Sequence, residues 1–141
     1  MTDTYCVRGC FDQPAENHGH PGSKSRVVLG PNAHREDRPA AINSEGLTIH
    51  TNEYEVGGLS GDGHAHSDQE QAFYILEGEM EVTVGEETRQ IGPGDSVFLP
   101  RGVFHKHSNI GNGPLKFLFI SAMVPDSARE ARRGNRPKLS P

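Results

Sequence analysis

Apolar and polar residues alternate with a period of two along most of the segment from Gly46 to Val124, as they do in half-buried β-strands. In residues 79–84, for example, Met80 and Val82 would lie on one buried face. This alternation predicts seven strands, which are Leu47–Val56, Gln71–Leu76, Glu79–Val84, Thr88–Ile91, Ser96–Leu99, Phe104–His107 and Leu115–Met123.

The segments between these strands are rich in Gly, Pro and Asn, which favour tight turns. They are Glu77-Gly78, Gly85-Glu86, Gly92-Pro93-Gly94, Pro100-Arg101-Gly102 and Gly111-Asn112-Gly113. Closely spaced short strands joined by such turns predict an all-β sandwich or barrel. A helical pattern is confined to Ser127–Arg133.

The sequence on either side of the strand-rich segment is polar. A chain of 141 residues suggests one domain, and we divide it into an extended N-terminal arm (1–41), a barrel (42–125) and a basic C-terminal tail (126–141). The arm includes one candidate strand, Arg26–Leu29, and would pack on its own barrel or on a second subunit. The tail has five basic and two acidic residues, and we interpret it as a solvated segment, with docking onto an acidic partner as the alternative.

Composition excludes some classes of function. With 14 basic and 19 acidic residues, the net charge is −5, which argues against a nucleic-acid-binding surface. We find neither a membrane-spanning segment nor a signal-peptide pattern, so we expect a cytoplasmic protein without a membrane partner. Cys6 and Cys10 are therefore expected to be reduced. A zinc site formed by these two cysteines with His18 and His20 is a weaker interpretation, because the cysteine spacing is unusual.

Two His-x-His pairs carry the strongest chemical signal. They are His64/His66 and His105/His107, and both lie in segments that resemble strands. Side chains two residues apart on a strand point to the same face. Each pair can therefore direct two imidazoles at one point, which suits a metal ion.

These pairs lie within two longer motifs. The first is formed by Gly58, His64, His66, Gln71 and Gly78, and the second by Gly94, Pro100, Gly102, His105 and Asn109. Their spacing and order resemble both motifs of the cupin superfamily, over about Leu47 to Val124. This resemblance implies a single-domain jelly-roll barrel (a double-stranded β-helix) that holds one divalent ion. Zinc is favoured, with manganese, iron or nickel as alternatives.

Within this resemblance, His64, His66 and His105 are the expected ligands, and Gln71 stands where most metal-binding cupins have a carboxylate. We favour Gln71 as the fourth ligand, because Glu70 would reach the ion only through a register slip or a bulge. His107 would be a further ligand or a catalytic base, and His50 is a lower-ranked candidate. The other histidines, His18, His20 and His34, are interpreted as incidental.

Phe73, Phe117 and Phe119 would line an apolar substrate pocket. The sequence is similar to small cupins that act as cyclases in aromatic polyketide biosynthesis, which implies a homodimer and a non-redox aldol cyclisation with loss of water from a poly-β-ketone. A set of neutral ligands suits such Lewis-acid chemistry. The alternatives are a uronate ring-opening isomerase, a non-haem iron dioxygenase, and a binding module without catalytic activity.

Overall fold

The computed structural model describes residues 5–12, 14–15, 20–31, 40–61, 63 and 65–124. In these residues it contains a short 3₁₀ helix at Cys10–Asp12 and nine strands. The strands are β1 (Ser23–Gly30), β2 (Ile42–Asn43), β3 (Leu47–Tyr54), β4 (Gln69–Glu77), β5 (Met80–Val84), β6 (Glu87–Ile91), β7 (Ser96–Leu99), β8 (His105–Asn109) and β9 (Leu115–Met123). The seven predicted strands are all present, and their ends differ from the prediction by two residues or fewer.

The strands form two sheets. One has six strands in the order β2-β1-β3-β9-β4-β7, and the other has three in the order β6-β5-β8. Their inner faces meet in one core, where Phe73 and Phe117 of the large sheet lie in the same cluster as Met80 and Val82 of the small sheet. This arrangement confirms the all-β jelly-roll prediction.

The N-terminal strand β1 is longer than predicted. The sequence pattern indicates Arg26–Leu29, but the strand runs from Ser23 to Gly30 and pairs antiparallel with β3, with a register shift between Val27 and Leu29. Serines and basic residues alternate in its first half, so apolar alternation does not mark that half as a strand. This part of the predicted arm thus lies within the chain's own large sheet.

Several predictions fall on parts of the chain that are not described. The helical pattern at 127–133 and the tail at 126–141 lie outside the described residues.

The two cysteines near the N-terminus are not bonded to each other. Cys6 is exposed, Cys10 is half-buried, and both are free thiols. None of the helices in the described part of the chain is long and apolar enough to cross a membrane.

Candidate metal and substrate site

A cavity of about 420 Å³ opens between the sheets, and residues from β1, β3, β4, β8 and β9 line it. Two of the predicted ligands, His66 and His105, lie in its wall. The centroids of their rings are 5.8 Å apart. Because zinc–imidazole bonds are about 2.0–2.1 Å long, both rings can reach a single ion at this separation. His64 lies outside the described residues, so its role as a ligand stays a prediction.

Different elements position these two imidazoles. His105 is the first residue of β8, and only 2% of it is exposed. His66 precedes β4, and its backbone oxygen accepts a hydrogen bond from the backbone N–H of Gly102, which holds this loop against the turn between β7 and β8. The two sequence motifs therefore meet in space through their turn residues as well as through their histidines.

Gln71 points into the cavity from β4, and 4% of it is exposed. It pairs with Leu99 on one side and with Ser121 on the other, in a regular ladder. The register shift in β4 lies further along, between Ile75 and Glu77. Glu70 therefore stays on the opposite face of the strand and does not line the cavity.

The side-chain oxygen of Gln71 is buried, and none of the described residues donates a hydrogen bond to it. Such an atom carries a desolvation cost unless a donor or a cation satisfies it. The described residues contain no group of three or more His, Cys, Asp or Glu side chains that could hold a metal ion. Two imidazoles and an amide oxygen are nevertheless suitable donors for a divalent ion. His64 would complete this set of ligands.

His107 is buried on the same face of β8 as His105, as the strand alternation predicts. Its Nε2 atom lies 2.7 Å from the hydroxyl of Tyr54, and its ring packs edge-on against Phe73, with 4.7 Å between centroids. The backbone N–H of His107 donates to the hydroxyl of Ser60, which fixes β8 from its other side. Whether His107 acts as a ligand or as a base stays a prediction.

The sequence analysis missed His20 as a cavity residue. Its Nδ1 atom lies 2.9 Å from the Tyr54 hydroxyl, so Tyr54 links His20 and His107 in one hydrogen-bonded chain. The hydroxyl has one proton, so Tyr54 donates to one imidazole and its oxygen accepts from the other. Burial lowers the pKa of His20 and raises that of Tyr54, because it disfavours the charged form of each.

His50, the lower-ranked candidate, also lines the cavity. Its Nδ1 atom lies 3.3 Å from the Ser25 hydroxyl, and its ring is 5.0 Å from that of Phe119. His50 therefore contributes to the part of the cavity wall formed by β1, β3 and β9.

The wall has an aromatic part and a polar part. Phe73, Phe117 and Phe119, the residues predicted for a substrate pocket, all line the cavity, and their role towards a substrate stays a prediction. The polar part was not predicted, and it includes Ser23, Ser25, Thr48 and Asn52. Thr48 and Asn52 lie on the predicted strand β3. Ser23 and Ser25 lie in the first half of β1, and their inward-facing positions could have been identified only by recognising that half as a strand.

The alternative zinc site near the N-terminus is not assembled from the residues that the structure describes. His20 bonds to Tyr54 inside the cavity, and the thiol of Cys10 donates to the backbone oxygen of Val7. Of the two remaining members, Cys6 is exposed and His18 lies outside the described residues.

Comparison with known proteins identifies the family. The model of the cupin domain (Cupin_2) matches residues 50–121, just over half of the chain. The chain belongs to the cupin family. This cupin is 41% identical to an uncharacterized protein of Methanocaldococcus jannaschii over 58 residues, which are 41% of this chain and 46% of the relative. The chain spans less than half of the length of each curated relative that it matches here.

Solved structures show the same fold at low sequence identity. A predicted oxalate decarboxylase from Thermotoga maritima is 22% identical, with a TM-score of 0.67, and the match covers 84% of this cupin and 100% of that chain. KdgF from Halomonas sp. is 19% identical, with a TM-score of 0.66, and the match covers 89% of this cupin and 98% of that chain. At these identities the likeness supports the fold alone.

Proposed function

We propose that this cupin is a metal-dependent enzyme that catalyses a non-redox isomerisation of a small hydroxy-carbonyl compound, such as a uronate-type sugar acid. The observation that carries the proposal is the buried side-chain oxygen of Gln71, which receives no hydrogen bond from the described residues. It lines the same cavity as His66 and His105. Together with the predicted ligand His64, these residues would hold one divalent ion.

A divalent ion bound there supplies Lewis acidity to a substrate carbonyl oxygen. Gln71 and the imidazoles are neutral donors, so they would not compensate the positive charge of the ion. Many oxygen-using iron enzymes bind the metal with two histidines and one carboxylate, whereas this set of ligands has the amide of Gln71 and no carboxylate. The donor set therefore favours isomerase or lyase chemistry over oxygenation.

The substrate class follows from the cavity. Its volume of about 420 Å³ lies toward the lower end of the range of about 300–1,000 Å³ that is common for small-molecule sites. Ser23, Asn52 and the Ser25–His50 pair offer hydroxyl, amide and imidazole groups along one wall. Several hydroxyl groups on a compact substrate would find partners there, and the neighbouring aromatic side chains of β4 and β9 would cover its apolar face.

Proton transfer is assigned to the chain of Tyr54, His20 and His107. Tyr54 holds the His107 ring by Nε2, and the packing of that ring against Phe73 restricts its rotation. Because burial raises the pKa of Tyr54, its hydroxyl keeps its proton and can donate to an imidazole. A base in this position would remove a proton next to the substrate carbonyl.

Cyclisation of a poly-β-ketone, the function predicted from the sequence, is the second candidate. It is supported by the aromatic part of the wall, in which the rings of Phe73 and Phe117 lie 5.0 Å apart and those of Phe73 and Phe119 lie 5.9 Å apart. Such a surface suits an aromatic product. Because both reactions need a Lewis acid and a base, the same residues would serve either.

Metal content tests the common part of both proposals. We expect the purified, untagged protein to bind one ion per chain in elemental analysis after equilibration with Zn²⁺, Mn²⁺, Fe²⁺ or Ni²⁺. His105→Ala and Gln71→Leu should weaken binding by at least about tenfold, whereas Gln90→Leu, on the exposed strand β6, should not. Failure of the unaltered protein to bind any of these ions would contradict the proposal.

Anaerobic assays of the metal-loaded protein separate the candidates. Conversion of an unsaturated uronate supports the isomerase, and ring closure of a poly-β-ketone model compound supports the cyclase. Oxygen uptake that requires Fe²⁺ would instead favour a dioxygenase. Tight binding of a ligand without turnover in any metal form would indicate a binding module.

A further inference from the structure

Gln71 and two further polar side chains, those of Gln69 and Ser121, meet on the cavity wall. Gln69 and Gln71 lie two residues apart on β4 and so share a face, and Ser121 lies directly opposite Gln71 on β9. The side-chain nitrogen of Gln71 donates to Oε1 of Gln69 over 3.1 Å. The hydroxyl of Ser121 donates to that same oxygen.

The two ends of the Gln71 amide are thereby distinguished. Because Gln69 Oε1 is an acceptor and already receives the Ser121 hydroxyl, it pairs with the NH₂ end of Gln71. The carbonyl end, Oε1, is left as the buried atom to which no described residue donates. In this arrangement the hydrogen bonds present the carbonyl end of Gln71, and not its NH₂ end, to a cation.

We infer that Gln69 and Ser121 are positioning residues that hold the Gln71 amide with its oxygen, and not its nitrogen, available to a metal ion. This inference rests on the proposed metal site. An amide nitrogen has no lone pair free for a metal, so a flipped Gln71 would lose its function as a ligand. A carboxylate at the same position has two equivalent oxygens and needs no such control. The pair Gln69–Ser121 is therefore required only because residue 71 is a glutamine.

The first test measures metal affinity directly. Isothermal titration of metal-free protein with Zn²⁺ should show binding about 10-fold to 100-fold weaker in Gln69→Met, the usual cost of losing a residue that orients a ligand. Ser121→Ala should weaken it in the same direction by a smaller factor. The matched control Gln90→Met, at an exposed position of β6, should bind like the unaltered protein. Far-UV circular dichroism confirms folding, and Ser121→Ala carries the test if Gln69→Met does not fold.

The second test separates orientation from general structural support. In a Gln71→Glu background, either oxygen of the carboxylate can bind the ion, so the orientation of the side chain no longer matters. Adding Gln69→Met should then change Zn²⁺ affinity by less than about threefold, which is a strongly non-additive result. An equal loss in both backgrounds would show that Gln69 only supports the strand, and it would overturn the inference. Unchanged affinity in Gln69→Met would do the same.

The outcomes also distinguish this inference from the proposed function. If the unaltered protein binds Zn²⁺ but Gln69→Met binds it equally well, the metal site stands and only the positioning role fails. If the unaltered protein binds no ion, the proposed function fails and the positioning role fails with it. Absorption of the Co²⁺-loaded protein gives a second readout, because loss of the Gln71 oxygen should change the d–d bands in Gln69→Met but not in the control.

Discussion

At the scale of single residues, Asn109 shows how one buried amide joins several parts of the fold. Its side-chain nitrogen donates to the backbone oxygens of Tyr54, Glu55 and Gly113 at 2.9–3.1 Å. Its side-chain oxygen accepts from the backbone N–H of Gly111. Asn109 thus ties the end of β8 to the end of β3 and to the turn before β9, which explains its place in the second motif without reference to metal.

We expect Asn109→Ala to lower the free energy of unfolding by about 2–4 kcal/mol, because several buried backbone groups lose their partner at once. Urea unfolding followed by circular dichroism measures the loss. Asn112→Ala is the matched control, since Asn112 is exposed in the same turn region, and it should change stability by no more than about 0.5 kcal/mol. Similar effects of the two changes would contradict the role assigned to Asn109.

Residues of the candidate site differ in how far the sequence predicts them. His105, His107 and Gln71 follow from strand alternation, since a period of two decides which face each side chain occupies. His20 could not be predicted this way, because its contact with Tyr54 joins residues 34 positions apart and His20 precedes β1. The Gln69–Ser121 contact likewise depends on the pairing of β4 with β9, which alternation does not specify.

At the scale of elements, the turns are predicted as well as the strands, and for a physical reason. Gly78 joins β4 to β5 with a φ of +89°, and Gly94 lies between β6 and β7 with a φ of +87°. Both backbone conformations are strained for residues that have a Cβ atom. Sequence patterns mark such turns by their glycines. They indicated only Arg26–Leu29 of β1, because the inward-facing serines in its first half give no apolar alternation.

The same two glycines provide a prediction, because they share a backbone conformation but differ in surroundings. A Cβ atom at Gly78 would lie 2.5 Å from the backbone oxygen of Pro114 and 2.9 Å from Cα of Leu115, whereas one at Gly94 would meet nothing within 4 Å. We expect Gly94→Ala to cost about 1 kcal/mol from backbone strain alone and Gly78→Ala about 3 kcal/mol or more.

Thermal and urea unfolding of both variants, with the unaltered protein as reference, measure this difference. If Gly78→Ala does not yield folded protein while Gly94→Ala does, the ordering is still confirmed. Equal costs would show that the close approach of the turn before β9 does not constrain the link between β4 and β5.

At the scale of the whole molecule, two parts of the chain form the cavity, one inside the segment that matches the cupin model and one before it. The cupin model begins at residue 50, yet His20, Ser23 and Ser25 also line the cavity. The match therefore covers the predicted ligands and leaves part of the polar wall to the N-terminal segment.

The contribution of the N-terminal segment predicts how stability depends on pH. Burial lowers the pKa of His20 below the ordinary value of 6.5, and the described groups that face it include the Tyr54 hydroxyl and the His107 ring. Between the lowered value and 6.5, the unfolded chain binds more protons at this position than the folded protein does. This contribution to stability is therefore complete above pH 6.5 and is lost as the pH falls through that interval.

Urea unfolding of metal-free protein between about pH 5 and pH 8 measures the effect. His20→Gln keeps a hydrogen-bonding partner for Tyr54 but removes the titrating group, so its stability should fall less steeply on acidification than that of the unaltered protein. Comparing the two slopes cancels the contributions of the carboxylates and of the other histidines. Parallel slopes would mean that His20 is as accessible to protons in the folded cupin as in the unfolded chain, and its place in the cavity wall would then be wrong.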